Sequence, residues 1–440
     1  MTKLPIENLL AEIRTVKVVF RVGRVVSLAS NCVSVSGLVD VAALGDRVEI
    51  LRKSGDVLPG EVQALGMGEI TVLADGSLTG IAIGDRVKHL GPAPISPDDS
   101  WLGRVIDPMG KPLDGRRLLM GVTPRSVESS PPAPAARRAL GSRLDTGLCV
   151  FNTMLPVVRG QRVGLFAGSG VGKSSLIAQM ARRMTADVVV LALIGERGRE
   201  LRHFVEDVLG KEGMSRAVVV AATSDQSPLT RRRCAWAAMA VAEHFRDRGQ
   251  HVLLLADSIT RFAEAHREVA LAMGEPPTLG GYPPSLAHAI MTLAERAGPG
   301  GGDQGDITAV FSVLVAGADM DGPVADILRG VLDGHVVLER IIAERGRFPA
   351  INLLKSVSRS LPDAATPEEN KVIQEAREML GVYDRAELMI QSGLYTQGSN
   401  AQIDRAIALW PRLDAFLSEA EPGEISDSFR KLRQCLGKPG

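Results

Sequence analysis

Eight residues constrain what this chain can fold into more than any others: Ala167-Gly168-Ser169-Gly170-Val171-Gly172-Lys173-Ser174. An apolar run, Arg162–Phe166, leads into them, and a helical stretch over 173–184 begins at Lys173. Glycines let a backbone curl until successive N–H groups converge on phosphate oxygens, and the following helix adds the positive end of its dipole. In such a loop Lys173 reaches the outer phosphates of a nucleotide and the Ser174 hydroxyl ligates Mg²⁺. The usual pattern opens on glycine; Ala167 stands there instead, which is tolerable wherever φ is negative.

A phosphate-binding loop of this kind belongs at the carboxyl edge of a mostly parallel sheet, and the surrounding pattern agrees. Near-continuous apolar runs at Arg162–Phe166, Val188–Ile194, Ala217–Ala222, Val252–Ala256 and Ile307–Val315 read as strands buried on both faces. Helical stretches at 173–184, 198–209, 228–247, 258–273 and 285–297 alternate with them, giving an α/β core over 144–365. Upstream, residues 18–91 change to short β-rich runs: Val16–Phe20, Val22–Leu28, Arg47–Leu51, Gly60–Ala64, Ile70–Leu73 and Asp85–Leu90. The turn Gly45-Asp46-Arg47-Val48 recurs as Gly84-Asp85-Arg86-Val87, and the spacing predicts a small barrel or sandwich.

Residues 92–143 are a proline-rich linker, whose second cluster, Pro131-Pro132-Ala133-Pro134, reads as a semi-rigid spacer. Residues 366–440 read as a separate helical bundle. Residues 1–17 hold a short amphipathic helix over 4–16, with Ile6, Leu9, Leu10 and Ile13 on one face. That face either docks on its own domain or meets a partner or a membrane surface.

Charge and composition narrow the function classes. Lysine plus arginine equal aspartate plus glutamate at 51 each, and only 4% of residues are aromatic. Nothing global draws the chain to nucleic acid, and few rings are available to stack bases. Cys32, Cys149, Cys234 and Cys435 lie far apart, as buried thiols of a reducing compartment do. With no apolar run of membrane-spanning length and no secretion signal, a soluble, cytoplasmic protein is expected.

Two acidic sites follow the loop. The run His251-Val252-Leu253-Leu254-Leu255-Ala256-Asp257 delivers a carboxylate to the carboxyl edge beside it. Asp257 alone reads equally as a helix N-cap; with the loop upstream, it reads as a Mg²⁺ ligand. Strand 188–194 ends in Gly195-Glu196-Arg197-Gly198-Arg199-Glu200. Glu196, expected on the strand next to that of the loop, is placed to orient and deprotonate an attacking water, with Arg197 or Glu200 at phosphate or a magnesium-bound water. The bland reading is an ion-pair cluster at a helix start. Arg231-Arg232-Arg233 reads as an interface or a solvated ion-pair cluster rather than a functional patch, the alternative, and composition makes a loop of 345–359.

Four separated motifs resemble the rotary-ATPase family, which holds the α and β subunits of F-type ATP synthases and the type III protein-export ATPases. They are Leu102-Gly103-Arg104-Val105-Ile106-Asp107, the phosphate loop, Gly195-Glu196-Arg197, and Pro349-Ala350-Ile351-Asn352 followed by Ser356 and Ser358. The resemblance covers nearly the whole chain. It implies a RecA-like core between an N-terminal β-barrel and a C-terminal helical domain, with Ala167 to Ser175 around ATP. It further implies Glu196 as the catalytic carboxylate, Asp257 as the Walker B acid and Phe348 stacked on adenine, where the synthase's catalytic subunit has tyrosine. Arg359 would be an arginine finger reaching the neighbouring subunit's site, and Arg197 and Arg261 phosphate-proximal arginines.

One chain with both Glu196 and Arg359 implies a homo-hexamer. Gly393 to Asn400 resembles the ending of the export ATPases rather than that of the synthase β subunit, and the triple arginine and Arg137-Arg138-Ala139-Leu140 resemble the flagellar branch, favoured over the injectisome branch. By that resemblance the N-terminal helix meets a stator-like regulator of the ATPase and touches membrane lipid. The C-terminal bundle meets a coiled-coil stalk protein, the export gate, export substrates and chaperones, at the cytoplasmic face of the inner membrane at the flagellar base. A proton-translocating synthase subunit and a hexameric RNA translocase are the rival readings.

Overall fold

A computed structural model describes residues 6–29, 31–315, 322–420 and 423–438. Six strands close a barrel in the order β1-β2-β5-β4-β3-β6: β1 (Val22–Ala29), β2 (Cys32–Ser36), β3 (Arg47–Leu51), β4 (Val57–Leu65), β5 (Glu69–Ala74) and β6 (Arg86–Gly91). Alternate residues point inward, so Val33, Val35, Val48, Ile50, Ile70, Val72 and Val87 fill it completely. At Gly60 a Cβ would stand 2.6 Å from Val72 Cγ1, so only glycine lets β4 lie this close. The repeated Gly-Asp turn is one device used twice: Asp46 Oδ2 accepts from the Ala43 N–H at 2.9 Å and Asp85 Oδ2 from the Ala82 N–H at 2.8 Å.

Two barrel expectations change. Val16–Phe20 is not a strand, because β1 and β6 pair with each other and leave no edge open there. Cys32–Ser36, a strand of alternating valine and small polar residues, takes a place in the barrel between β1 and β5.

The helix Ile6–Thr15 docks through a polar residue (Leu4 and Pro5, the expected start, lie outside the described residues). Asn8 is buried, and its Nδ2 donates to Asp98 Oδ2 at 2.9 Å and to the Met120 carbonyl at 2.8 Å. The apolar residues face out: Ile6 is 74% exposed and Ile13 58%.

The proline-rich stretch is packed rather than a free spacer. Its β7 (Arg104–Ile106) joins the edge of the large sheet, and Arg104 holds the stretch together through Asp114 Oδ2 at 2.6 Å and the Arg117 carbonyl at 3.0 Å. The other sheet strands are β8 (Arg162–Ala167), β9 (Val188–Glu196), β10 (Ala217–Thr223), β11 (Val252–Asp257), the two-residue β12 (Gly298–Pro299), β13 (Asp306–Leu314), β14 (Gly334–Leu338) and β15 (Ile351–Ser358). Their order is β15-β14-β8-β13-β11-β9-β10-β7, parallel from β14 to β7, with β12 beside β13 and β15 antiparallel at the edge. Helices cover both faces, giving one apolar cluster on each side.

The stretch expected as helix 198–209 is a helix at Gly198–His203 that widens into a π-turn over Phe204–Leu209. The C-terminal helices Pro367–Gln391, Ala401–Phe416 and Ile425–Cys435 do not form a separate core. Ile373, Met379, Leu413, Phe416 and Phe429 belong to the same apolar cluster as Leu176 and Leu191 of the nucleotide-binding core.

The triple arginine is no solvated cluster. Arg232 and Arg233 are buried where barrel, linker and core meet: Arg232 pairs with Glu61 at 3.2 Å, and Arg233 Nε donates to the Pro108 carbonyl at 3.0 Å. Deeper still, Arg296 makes two 2.8 Å bonds to Glu243 and one of 2.6 Å to the Val127 carbonyl. Glu243→Ala leaves that guanidinium buried without its counter-charge. It is expected to cost about 3–5 kcal/mol of stability, read as a lowered urea midpoint at unchanged slope.

Candidate active site

The phosphate loop leaves β8 at Ala167 and enters the helix Lys173–Arg183. Gly170 and Gly172 have φ of +77° and +88°, a region that favours glycine, so the turn's shape rests on them. Ser169, Ser174 and Ser175 are exposed, while Val171 is buried and anchors the loop. Lys173 Nζ is hydrogen-bonded to Asp257 Oδ1, which also accepts from Ser312 Oγ at 2.7 Å. Asp257 is 3% exposed, and these two donors satisfy a carboxylate that would otherwise be buried without a partner.

Four strand ends converge. Ala167 ends β8, Ser312 lies near the end of β13, Asp257 ends β11 and Glu196 ends β9. The expectation that Glu196 sits on the strand next to the loop's own is incorrect: β13 and β11 stand between. Consecutive strands of a parallel sheet are usually neighbours, but here the crossover from β8 to β9 passes over two positions that β13 and β11 fill. Glu196 nonetheless feels the loop electrostatically. Burial pushes its pKa up to about 7; the Asp257 charge adds to the rise, Lys173 opposes it and a hydrogen bond with Glu200 adds again. A carboxyl that titrates near neutrality is suited to general-base work.

The other candidates divide by position. Gly195, at φ +69°, is covered by the Arg261 side chain, whose Nη1 donates to Glu264 at 2.8 Å and whose charge interacts with Glu196. Arg197 and Glu200 are exposed; they lie 3.5 Å apart, and Glu200 also shares a hydrogen bond with Glu196. Phe348 is half exposed, with its ring against Gly172: a Cβ there would be 3.0 Å from the ring.

Arg359 lies at the other end of the molecule's sheet. β15 begins at Ile351, opposite Leu338 and, through it, Ala167. It ends at Ser358, opposite Gly334, at the amino edge of β8. The strand spans about 23 Å at the usual rise, far beyond an arginine's reach, so Arg359 is exposed on the opposite rim from its own loop. Its Nη2 donates to the Arg329 carbonyl at 3.1 Å. The sequence reading missed Ser312; its signal is a hydroxyl near the carboxyl end of the apolar run Asp306–Leu314, which carries one other, Thr308, near its start.

Comparison with known proteins follows the same outline. Residues 147–358 match the nucleotide-binding domain of the ATP synthase alpha/beta family, and residues 365–434 match the T3SS EscN ATPase C-terminal domain. The flagellum-specific ATP synthase of Caulobacter vibrioides is 44% identical over 438 residues, 98% of this chain and 99% of that protein. The one from Bacillus subtilis is 43% identical over 90% of this chain and 91% of that protein. Among solved structures, the assembled ATPase EscN of the enteropathogenic E. coli type III secretion system superposes with a TM-score of 0.87 at 34% identity, covering 94% of this chain and 100% of that one. With its central stalk EscO the same ATPase gives 0.85. The chain belongs to the ATP synthase alpha/beta family, in the branch of the flagellum-specific ATP synthases.

Proposed function

We propose that this protein hydrolyses Mg-ATP in a homo-hexameric ring and thereby promotes protein export through the bacterial flagellar type III apparatus. The observation that carries it is the convergence of Lys173, Asp257 and Glu196 at one sheet edge, with Arg359 on the opposite rim.

The donor set fits Mg²⁺ arriving with the nucleotide: an exposed hydroxyl at Ser174 and one buried carboxylate, Asp257, leave the remaining positions to phosphate oxygens and water. The bound ion neutralises charge on the outer phosphates. Loop N–H groups and Lys173 hold those phosphates in line, and Glu196 takes the proton of the attacking water. Phe348 offers its face to the base. Arg359 stabilises transition-state charge in the site of the next subunit, since it lies too far from its own. Arg261, close to Glu196, assists at the γ-phosphate, and the exposed Arg197 and Glu200 close on the nucleotide.

The identities of 43–44% with flagellar relatives against 34% with the injectisome ATPase favour the flagellar reading. The outward apolar face of Ile6–Thr15 suits the stator-like regulator and a membrane surface. The exposed Leu394, at the C-terminal end, suits the stalk protein and cargo, the substrates and chaperones delivered to the export gate. No helix among the described residues is long and apolar enough to cross a membrane, so the proposed contact with the inner membrane is peripheral.

The test is Mg-dependent phosphate release by the purified protein. Lys173→Ala is expected to remove it, by about 10²-fold or more, in line with losing a preorganised charge on the transition state. Turnover that survives Lys173→Ala would sink the reading.

A further inference from the structure

The loop carrying Phe348 is fastened to the C-terminal bundle on two sides. Arg345 Nη2 donates to Glu387 Oε1 at 2.7 Å, on the helix Pro367–Gln391. Arg347 Nε lies 3.0 Å from Asp414 Oδ1, on the helix Ala401–Phe416. The two pairs differ in depth: the Arg345 side chain is 42% exposed, that of Arg347 only 9%. An exposed pair contributes little, whereas removing one member of a buried pair leaves a charge without compensation.

The same buried guanidinium also reaches across its own loop. Its Nη2 donates to the Ile351 carbonyl at 2.8 Å and its Nη1 to that of Pro349 at 3.4 Å. One cation, itself the residue before Phe348, therefore holds the two carbonyls that follow the ring and ties this backbone to a helix of the bundle. Burial lowers the Arg347 pKa and raises that of Asp414, and each charge opposes the other's shift. Phe348 as a residue is 52% exposed, so side-chain packing does little to fix its ring. Its place over Gly172 depends on the backbone that Arg347 holds.

We infer that Arg347 is a positioning residue for the nucleotide base: paired with Asp414, it holds the Phe348 ring over Gly172 and makes the placement of the C-terminal bundle felt at the base. The inference rests on the reading of the phosphate loop as an ATP-hydrolysing site. It separates base recognition from phosphate recognition, and the test uses that separation.

Steady-state hydrolysis of ATP by Arg347→Ala is compared with its inhibition by Mg-tripolyphosphate, which has the phosphates and no base. KM for ATP is expected to rise about five- to tenfold, a part of what full loss of a stacking contact gives, with kcat within about twofold. The inhibition constant for tripolyphosphate is expected to stay at the wild-type value. Asp414→Asn, nearly isosteric, is expected to raise KM in the same direction, and the double variant to do no more than the stronger single one. An unchanged KM for ATP in folded Arg347→Ala overturns the inference, as does a tripolyphosphate constant that rises in parallel, which would mark general damage. Should Arg347→Ala not fold, Asp414→Asn alone decides by the same two readouts. Absence of hydrolysis by the wild-type protein would defeat the proposed function instead; normal hydrolysis with an indifferent Arg347 defeats only this inference.

Discussion

Arg359→Ala is expected to lower ATP turnover by about 10³–10⁵-fold, the range over which an arginine finger supplied from another chain acts, while leaving nucleotide affinity and fold almost unchanged. The expectation follows from the sheet. β15 carries its two ends to opposite rims, Phe348 just before it at the phosphate loop and Arg359 just after it at the far edge. In the proposed ring, a residue so placed would serve a neighbour whose loop faces that rim, through a head-to-tail contact that closes into a ring. Two consequences are measurable. Turnover per subunit should rise steeply with protein concentration as rings form. In rings mixed from Arg359→Ala and Glu196→Gln chains, activity should return at interfaces pairing an intact Glu196 with an intact Arg359, about a quarter of them for random mixing of equal amounts. A turnover flat across concentration, or verified mixed rings with no recovery, would contradict a site shared between subunits.

What the sequence makes legible is whatever lies in one contiguous run. The phosphate loop needs only strand, glycines, lysine and helix in succession, and those are local. The buried parallel strands are likewise visible, because burial on both faces leaves no polar alternation. The edge strand β15 is not: Asn352, Lys355, Ser356 and Ser358 give it the texture of a loop, since one side of an edge strand carries polar residues. Its importance came from the resemblance of Pro349 to Asn352, not from its pattern. Spatial order in the sheet was also hidden, which is why Glu196 was expected one strand from the loop and stands three away, across β13 and β11. The N-terminal helix shows the limit of a hydrophobic face as evidence. A single buried asparagine, with two hydrogen bonds that no periodicity foretells, fixes which side docks.

Glu196→Gln is expected to lower kcat by about 10²–10⁴-fold, the contribution of a positioned general base, and the pH profile distinguishes that role from a structural one. Burial and the Asp257 charge hold the free enzyme's Glu196 at about 7. Below that pH the carboxyl is protonated and cannot accept a proton from water, so kcat/KM of the wild-type enzyme should fall tenfold per unit on the acid side. The residual activity of Glu196→Gln should lack that inflection. Stability should move the opposite way. The folded-state pKa lies above the ordinary 4.5, so the folded form favours the proton. Its stabilisation is complete below 4.5 and lost as pH rises through about 7. At pH 8 the charged carboxylate therefore costs the free enzyme stability, and Glu196→Gln should unfold at a urea concentration no lower than wild type. A variant that is inactive yet at least as stable, with the acid limb gone, points to a site that trades stability for a base poised near neutrality. A variant that loses stability along with activity points to a structural glutamate.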